Sequence, residues 1–501
     1  MEKDSSPAAE SVTRQENPID THGGIENFQM YNKGGYHPVQ LDDILDNRFL
    51  VIHKLGSGGF GTVWLCRDLN LNKWRAVKII AASRSFGTGE EKVLKYLREN
   101  FTLEELEENH IVVPLEEFYI EGPNGRHRCL VMPVLGSTVS IWRLLQINHK
   151  EQTGIDAKIV CRQIIEALDF LHRHGICHGD YRPNNILMKV EGIDELDEDQ
   201  MINLMGEPNC IDIETMSGQS PAPRAPEYAV LPAVMNMDWF KAKSTMTVAV
   251  IDFGESFFVK SPPKSTGIPN EFASPEVLFR GSQTLGLPSD IWSLACTLFE
   301  VRTRTHLFPP GGWGVIDTVK EIEFILGPLP LPYRRVYEKK YLEKYGKGRD
   351  EDEQNPSKPI PEYGEILIGR RSAKRSEFIE ESGYADIFEA ILGEERFAYD
   401  DEKSQNITYR YPRNEVIELA NLLRNMVKYD PDERMKIGAV LSHSWVRAEP
   451  PSTIHSNSVP LFAMITWVMD QRSDVEVIDN WELKPEELSE PLKQLALHLN
   501  P

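Results

Sequence analysis

The sequence predicts an α+β chain of two lobes, a small antiparallel β lobe carrying one helix and a larger, mainly helical lobe. Three observations carry this. Strand-like runs at 49–55, 62–67 and 74–80 follow one another at turn-length spacings. Beyond residue 136 helical periodicity takes over, as in 156–174, where Ile159, Val160, Ile164, Leu168 and Leu171 share one face. The Gly-rich turn at 56–61 is followed by the β-like Thr62-Val63-Trp64-Leu65, where a dinucleotide-binding fold would need a helix.

With 501 residues, the length prior allows roughly two to four domains. A net charge of −22 argues against nucleic acid as a partner; it suits basic peptides or proteins, or simply a well-solvated surface. The six cysteines are scattered without a Cys-x-x-Cys pair, which argues against a disulfide framework or a zinc ribbon and for a reducing, cytoplasmic or nuclear setting. No apolar leader and no run of 18 apolar residues is visible, so neither secretion nor a membrane span is expected.

Taken in order, residues 1–30 are polar and Ser/Glu/Asn-rich, a disordered segment by composition. Residues 31–48, with Gly34-Gly35-Tyr36-His37-Pro38-Val39, are expected to pack as an extension on the small lobe, which spans 49–135. A helix is predicted over Gly89–Asn100 from Val93, Leu94 and Leu97, with further strands at 111–120 and 129–135. Met132-Pro133-Val134-Leu135-Gly136 connects the lobes. The large lobe, 136–446, carries insertions at about 190–245 and 310–415. The first has an acidic run at 194–199 and prolines at 221, 223 and 226, and reads as a solvated, partly flexible loop. A tail over 447–501, with two apolar segments, is expected to pack on the large lobe.

The chemistry concentrates in His178-Gly179-Asp180-Tyr181-Arg182-Pro183-Asn184-Asn185, after a helix stopped by Gly175. An Asp to accept a hydroxyl proton, a cation two residues on and an Asn five residues on suit phosphoryl transfer. A Gly-rich turn between antiparallel strands lets backbone approach phosphates. Lys78 stands on the third strand in Ala-Val-Lys, and Glu90 or Glu91 on the following helix is placed to pair with it, Glu90 being preferred. Asp252, in Asp252-Phe253-Gly254 at the end of the buried strand 247–251, is placed to hold Mg²⁺ against phosphate oxygens. Only 21 residues separate Gly254 from Glu276 of Ser274-Pro275-Glu276, and Arg434 is the natural structural partner of Glu276.

In that order these motifs resemble the eukaryotic protein kinase family over roughly residues 49–446. Gly34–Val39, Lys54-Leu55-Gly56, Val134-Leu135-Gly136 and Asp290-Ile291-Trp292-Ser293 resemble the SR-protein kinase group within it. The resemblance implies the two-lobed protein kinase fold, with ATP and Mg²⁺ as cofactors. ATP would lie against Leu55, Gly56, Ser57, Gly58, Gly59, Phe60, Gly61, Val63, Ala76, Lys78, Met132 and Leu135. Lys78 would anchor phosphates and pair with Glu90. Asp180 would be the base for a Ser or Thr hydroxyl, Arg182 would contact the γ-phosphate where the family usually has Lys, and Asn185 and Asp252 would hold Mg²⁺. The expected partner is a protein substrate with Ser/Thr acceptors, basic or Arg-Ser-rich, met by a monomer.

Gly179 stands where many kinases carry the Arg that binds an activation-loop phosphate, so constitutive activity is expected. Pro269-Asn270-Glu271-Phe272-Ala273 lacks the basic segment of the SR-protein kinases, which leaves Arg-Ser preference open. Two other readings compete. Arg182 and Gly179 are the features of a pseudokinase or scaffold that binds partners through its acidic insertions. His-Gly-Asp also opens this loop in small-molecule kinases, but Ser-Pro-Glu and the Asp290 helix argue against them.

Overall fold

Strands apolar on both faces shape the small lobe. Its sheet is built from β1 (Phe49–Gly58), β2 (Gly61–Asp68), β3 (Lys73–Ile80), β4 (Glu116–Gly122) and β5 (Gly125–Met132), with helix α1 (Gly89–Asn100) packed on one face. The short strand Ile44–Leu45 adds to the edge, giving a six-stranded antiparallel sheet in which β3 lies between β2 and β5. The computed structural model describes residues 12–13, 25–145, 152–215, 220–279, 285–309, 314–345, 375–400 and 405–447. The expected tail beyond 447, the acidic run at 349–353 and most of residues 1–24 lie outside these.

Successive residues of a strand face opposite sides. Leu65, Ile80 and Leu130 point inward with Val93, Leu94 and Leu97 of α1. Trp64, Cys66, Val77, Ile79, Cys129 and Val131 point outward, and there they are buried too. Val39 and Leu45 of the extension and Val230 of the first insertion cover them. An apolar outer face needs such a cover, since each fully buried large side chain is worth roughly 1.5–3 kcal/mol.

The large lobe is organised by α2 (Gln152–Arg173) and α5 (Leu287–Thr303), with α6 (Arg413–Met426) beside α5; α5 is buried almost all round. Between α2 and α5 run β6 (Ile186–Val190), α3 (Glu198–Met205), the paired β7 (Cys210–Asp212) and β8 (Tyr228–Val230), α4 (Met237–Lys243) and β9 (Ser244–Val250). β9 pairs antiparallel with β6, and this two-stranded sheet carries the loop 178–185 at one end and Asp252 at the other strand's exit.

Three expectations need correcting. The described parts of 190–245 do not form a solvated loop: Trp74 donates from its backbone to Asp194 and from Nε1 to the Leu196 carbonyl, and Tyr228 Oη accepts from Leu41 N at 2.9 Å. Charge at the start of this segment conceals apolar residues further on. Residues 25–30 are ordered, not part of a disordered segment, because Glu26 is buried in an ion pair with Lys54 and accepts the Tyr31 hydroxyl. Residues 111–115 form no regular strand: Ile111 only bridges Val250, Pro114 has no N–H for a ladder, and after Leu115 N–H donates to the Val131 carbonyl the regular strand runs from Glu116. Among the described residues no helix is long and apolar enough to cross a membrane.

Candidate active site

The loop 178–185 is held from below by one carboxylate. Asp290, in the first turn of α5, accepts the N–H of His178 at 2.7 Å and of Gly179 at 3.0 Å, and lies 3.1 Å from His172 Nε2. Burial would raise this carboxyl, but the His172 contact and the Gly179 N–H outweigh it and hold it below the usual carboxylate range. Thr297 Oγ1 donates to the Tyr181 carbonyl, and the Tyr181 hydroxyl to the Ile164 carbonyl, which fixes the loop to α5 and α2. Gly179 takes φ +78°, and a Cβ there would stand 2.3 Å from the Glu255 carbonyl oxygen.

Within this frame Asp180 receives Arg182 Nε at 2.9 and 3.1 Å on its two oxygens and Asn185 Nδ2 at 2.7 Å. Asn185 Nδ2 also reaches the Asp180 carbonyl at 2.8 Å. With its NH₂ engaged, Asn185 offers its amide oxygen to the cleft.

Across the cleft Lys78 Nζ lies 2.5 Å from Asp252 Oδ1 and 3.9 Å from Glu90 Oε1. Burial would lower the Lys78 ammonium, but Asp252 and Glu90 raise it above its ordinary value. Burial also works against Asp252, yet the close Lys78 charge holds it down. Glu90, further from Lys78, is left with burial dominant and its carboxyl is pushed up. Glu91 accepts from Gly87 N at 2.8 Å instead. Asp252 takes φ +61°, and Phe253 is buried with its ring 5.3 Å from that of His178.

Between these two groups lies a cleft of about 610 Å³. Leu55, Gly56, Ser57, Gly58, Phe60, Gly61, Val63, Ala76, Lys78, Glu90, Met132, Leu135, Arg182, Asn185 and Asp252 all line it. Gly59, expected at the phosphates, does not; it sits exposed at the tip of the β1–β2 turn. Asp180 stands just beyond the lining, joined to it through Arg182 and Asn185. A triphosphate nucleotide and Mg²⁺ fit these residues. A Cβ at Gly56 or Gly58 would meet nothing within 4 Å, so the turn leaves open space above the cleft. The Asn185 amide and Asp252 carboxylate would offer hard oxygen ligands to such an ion on one side of it.

Sequence reasoning missed three groups of residues here. Asp290 belonged to a motif used for the family resemblance, with no role given to its carboxylate. Tyr36 of the extension donates its hydroxyl to the Gly58 carbonyl at 2.7 Å, tethering the Gly-rich turn. Met205, Pro232, Ala233, Val234, Met235 and Met237 of the first insertion line the cleft. The signal for these last was available: 229–235 is an apolar run inside a polar segment.

Comparison with known sequences is specific. A family model described as "Protein kinase domain" matches residues 49–200 and 240–446. "SRSF protein kinase 3" of Homo sapiens is 37% identical over 164 residues, covering 32% of this chain and 29% of that protein. "Serine/threonine-protein kinase SRPK" of Physarum polycephalum is 26% identical over 438 residues, 85% of this chain and 92% of its own length. "Serine/threonine-protein kinase SKY1" of Saccharomyces cerevisiae is 35% identical over 186 residues, 34% and 24% of the two lengths. The match thus spans less than a third of the human and yeast relatives.

Proposed function

The chain belongs to the protein kinase family, and from that premise we propose that it transfers the γ-phosphoryl of MgATP to Ser or Thr hydroxyls of protein substrates. The observation that carries the reading is the Asp180–Arg182–Asn185 cluster facing Lys78 and Asp252 across one cleft. Asp180, oriented by Arg182 Nε and Asn185 Nδ2, accepts the proton of the acceptor hydroxyl. Lys78, paired with Asp252 and 3.9 Å from Glu90, would supply the positive charge that holds the nucleotide's phosphates. Arg182 directs positive charge toward the transferring group. Mg²⁺, held by Asn185 and Asp252, would neutralise phosphate charge.

Activity is constitutive in this reading. The segment 252–276 is held without a phosphate: Phe257 and Phe258 pair with Cys177 and Ile176, and Glu276 is locked to Arg434. The relatives' names support Ser/Thr protein acceptors and the net charge of −22 supports basic ones, while the test below decides Arg-Ser preference. The test is phosphate transfer from MgATP to an Arg-Ser-repeat peptide and to a generic basic protein, beside Asp180→Ala. Transfer to either, lost in the variant, is expected. No transfer to any acceptor and no autophosphorylation would sink the proposal.

A further inference from the structure

The first insertion leaves the pattern of the family between residues 200 and 240, yet this same stretch reaches the nucleotide cleft. We propose that residues 232–237 form an additional wall of the cleft, an apolar strap that contacts the base and ribose of the bound nucleotide and adds to its affinity. The proposal rests on the reading of the cleft as an ATP site.

Anchors at both ends fix the strap. On the small-lobe side Val230 is buried in the outer face of the sheet, and Ala233 N–H donates to the Lys54 carbonyl at 2.7 Å. On the large-lobe side Asn236 N–H donates to the Leu204 carbonyl at 2.7 Å, and Met235 and Phe240 are buried in the main core. Phe240 lies against Gly136 of the lobe connector, where a Cβ would stand 2.6 Å from the ring.

The anchors also fix which end of the nucleotide the strap meets. Lys54 immediately precedes Leu55, at the start of the Gly-rich turn, and Gly136 ends the connector. The phosphate end is elsewhere, at Gly58, Gly61, Lys78 and Asp252. Between the anchors Pro232, Ala233, Val234, Met235 and Met237 line the cleft with Met205. Val234 is 78% exposed, the most open large apolar side chain described in the chain, and a base or ribose laid against it would take that surface out of water. Partial burial of such a side chain corresponds to about a three- to tenfold gain in affinity.

The experiment is calorimetric titration of the full chain with ADP, and competition of inorganic tripolyphosphate against ADP, for the parent, Val234→Ser and Val234→Ile. Leu103→Ser, at a 51% exposed apolar position outside the cleft, is the control. Val234→Ser is expected to weaken ADP about three- to tenfold and leave tripolyphosphate unchanged, with Val234→Ile close to the parent and Leu103→Ser without effect. Because Val234 is exposed, the melting temperature without ligand should not move. Unchanged ADP affinity in Val234→Ser overturns the strap, as does equal weakening of ADP and tripolyphosphate, which would mean the phosphate end is what changed. Failure of the parent itself to bind ADP would remove the ATP reading and the strap with it, a result distinct from either.

Discussion

Lys78 is the residue on which the two lobes meet. Its Nζ is drawn to Asp252 at 2.5 Å and stands off Glu90 at 3.9 Å, and the closer carboxyl is the one whose pKa it lowers against burial, while burial raises that of Glu90. Gly179 matters for a different reason. Its positive φ and the 2.3 Å approach of the Glu255 carbonyl leave no room for a side chain, while its N–H serves Asp290. Gly179→Ala should therefore cost about 1–3 kcal/mol in denaturant unfolding and slow transfer, since Asp180 is the next residue. An unshifted unfolding midpoint would show the loop tolerates a Cβ. The Tyr36 hydroxyl, bonded to the Gly58 carbonyl, is a positioning group. Removing one such bond costs about 0.5–1.5 kcal/mol, so Tyr36→Phe should raise the KM for ATP by about two- to tenfold with a smaller change in kcat. Equal loss in both would mean a general structural role.

Among the elements, those whose residues carry the chemistry were legible in the sequence. The Gly-rich turn, Ala-Val-Lys, the loop at 178–185 and Asp252-Phe253-Gly254 are short, contiguous and chemically constrained, so their order alone indicated one site. The covering elements were not, because their contacts are remote: Trp74 meets Asp194 and Leu196, and Asn124 meets the Arg224 carbonyl, about a hundred residues away in the chain. What could have exposed them is physical, namely a β lobe apolar on both faces, which needs a second cover. Glu276 and Arg434 sit between these cases, distant yet legible as opposite charges in known motifs. Their two hydrogen bonds of 2.6 and 2.7 Å are fully buried and join the helix Pro275–Phe279 to the turn Pro431–Glu433, with the Pro288 carbonyl of α5 as a further acceptor. Burial raises the Glu276 carboxyl, and Arg434 more than reverses it. Arg434→Met leaves an uncompensated buried carboxylate and should cost about 3–5 kcal/mol. Adding Glu276→Gln should recover part of that loss in the same unfolding measurement. If the double variant is no better than the single, the cost lies in lost packing.

For the whole molecule, the extension and the first insertion act together on the small lobe, and acid should loosen this cover. His37 of the extension packs edge-on against His127 of β5, with ring centroids 5.0 Å apart. Burial, and then the neighbouring ring, lowers the His37 pKa from 6.5 to about 4; burial lowers His127 as well, opposed by the Ile80 carbonyl and the Glu121 charge. Both rings are therefore neutral when docked and take protons near 6.5 when released. The released state binds more protons between these values, so docking free energy rises with pH across that window. It is complete above about 6.5 and falls as pH drops toward 4, by about 3 kcal/mol for His37 alone. The protection factors for hydrogen exchange of residues 25–48, referred to the intrinsic rate at each pH, should fall as pH drops over that interval, and His37→Asn should flatten the dependence. An unchanged profile in the variant would assign the acid response to other groups. Release of the extension also withdraws Tyr36 from Gly58, so the KM for ATP should rise with acidification in the parent and much less in Tyr36→Phe, which has already lost that tether.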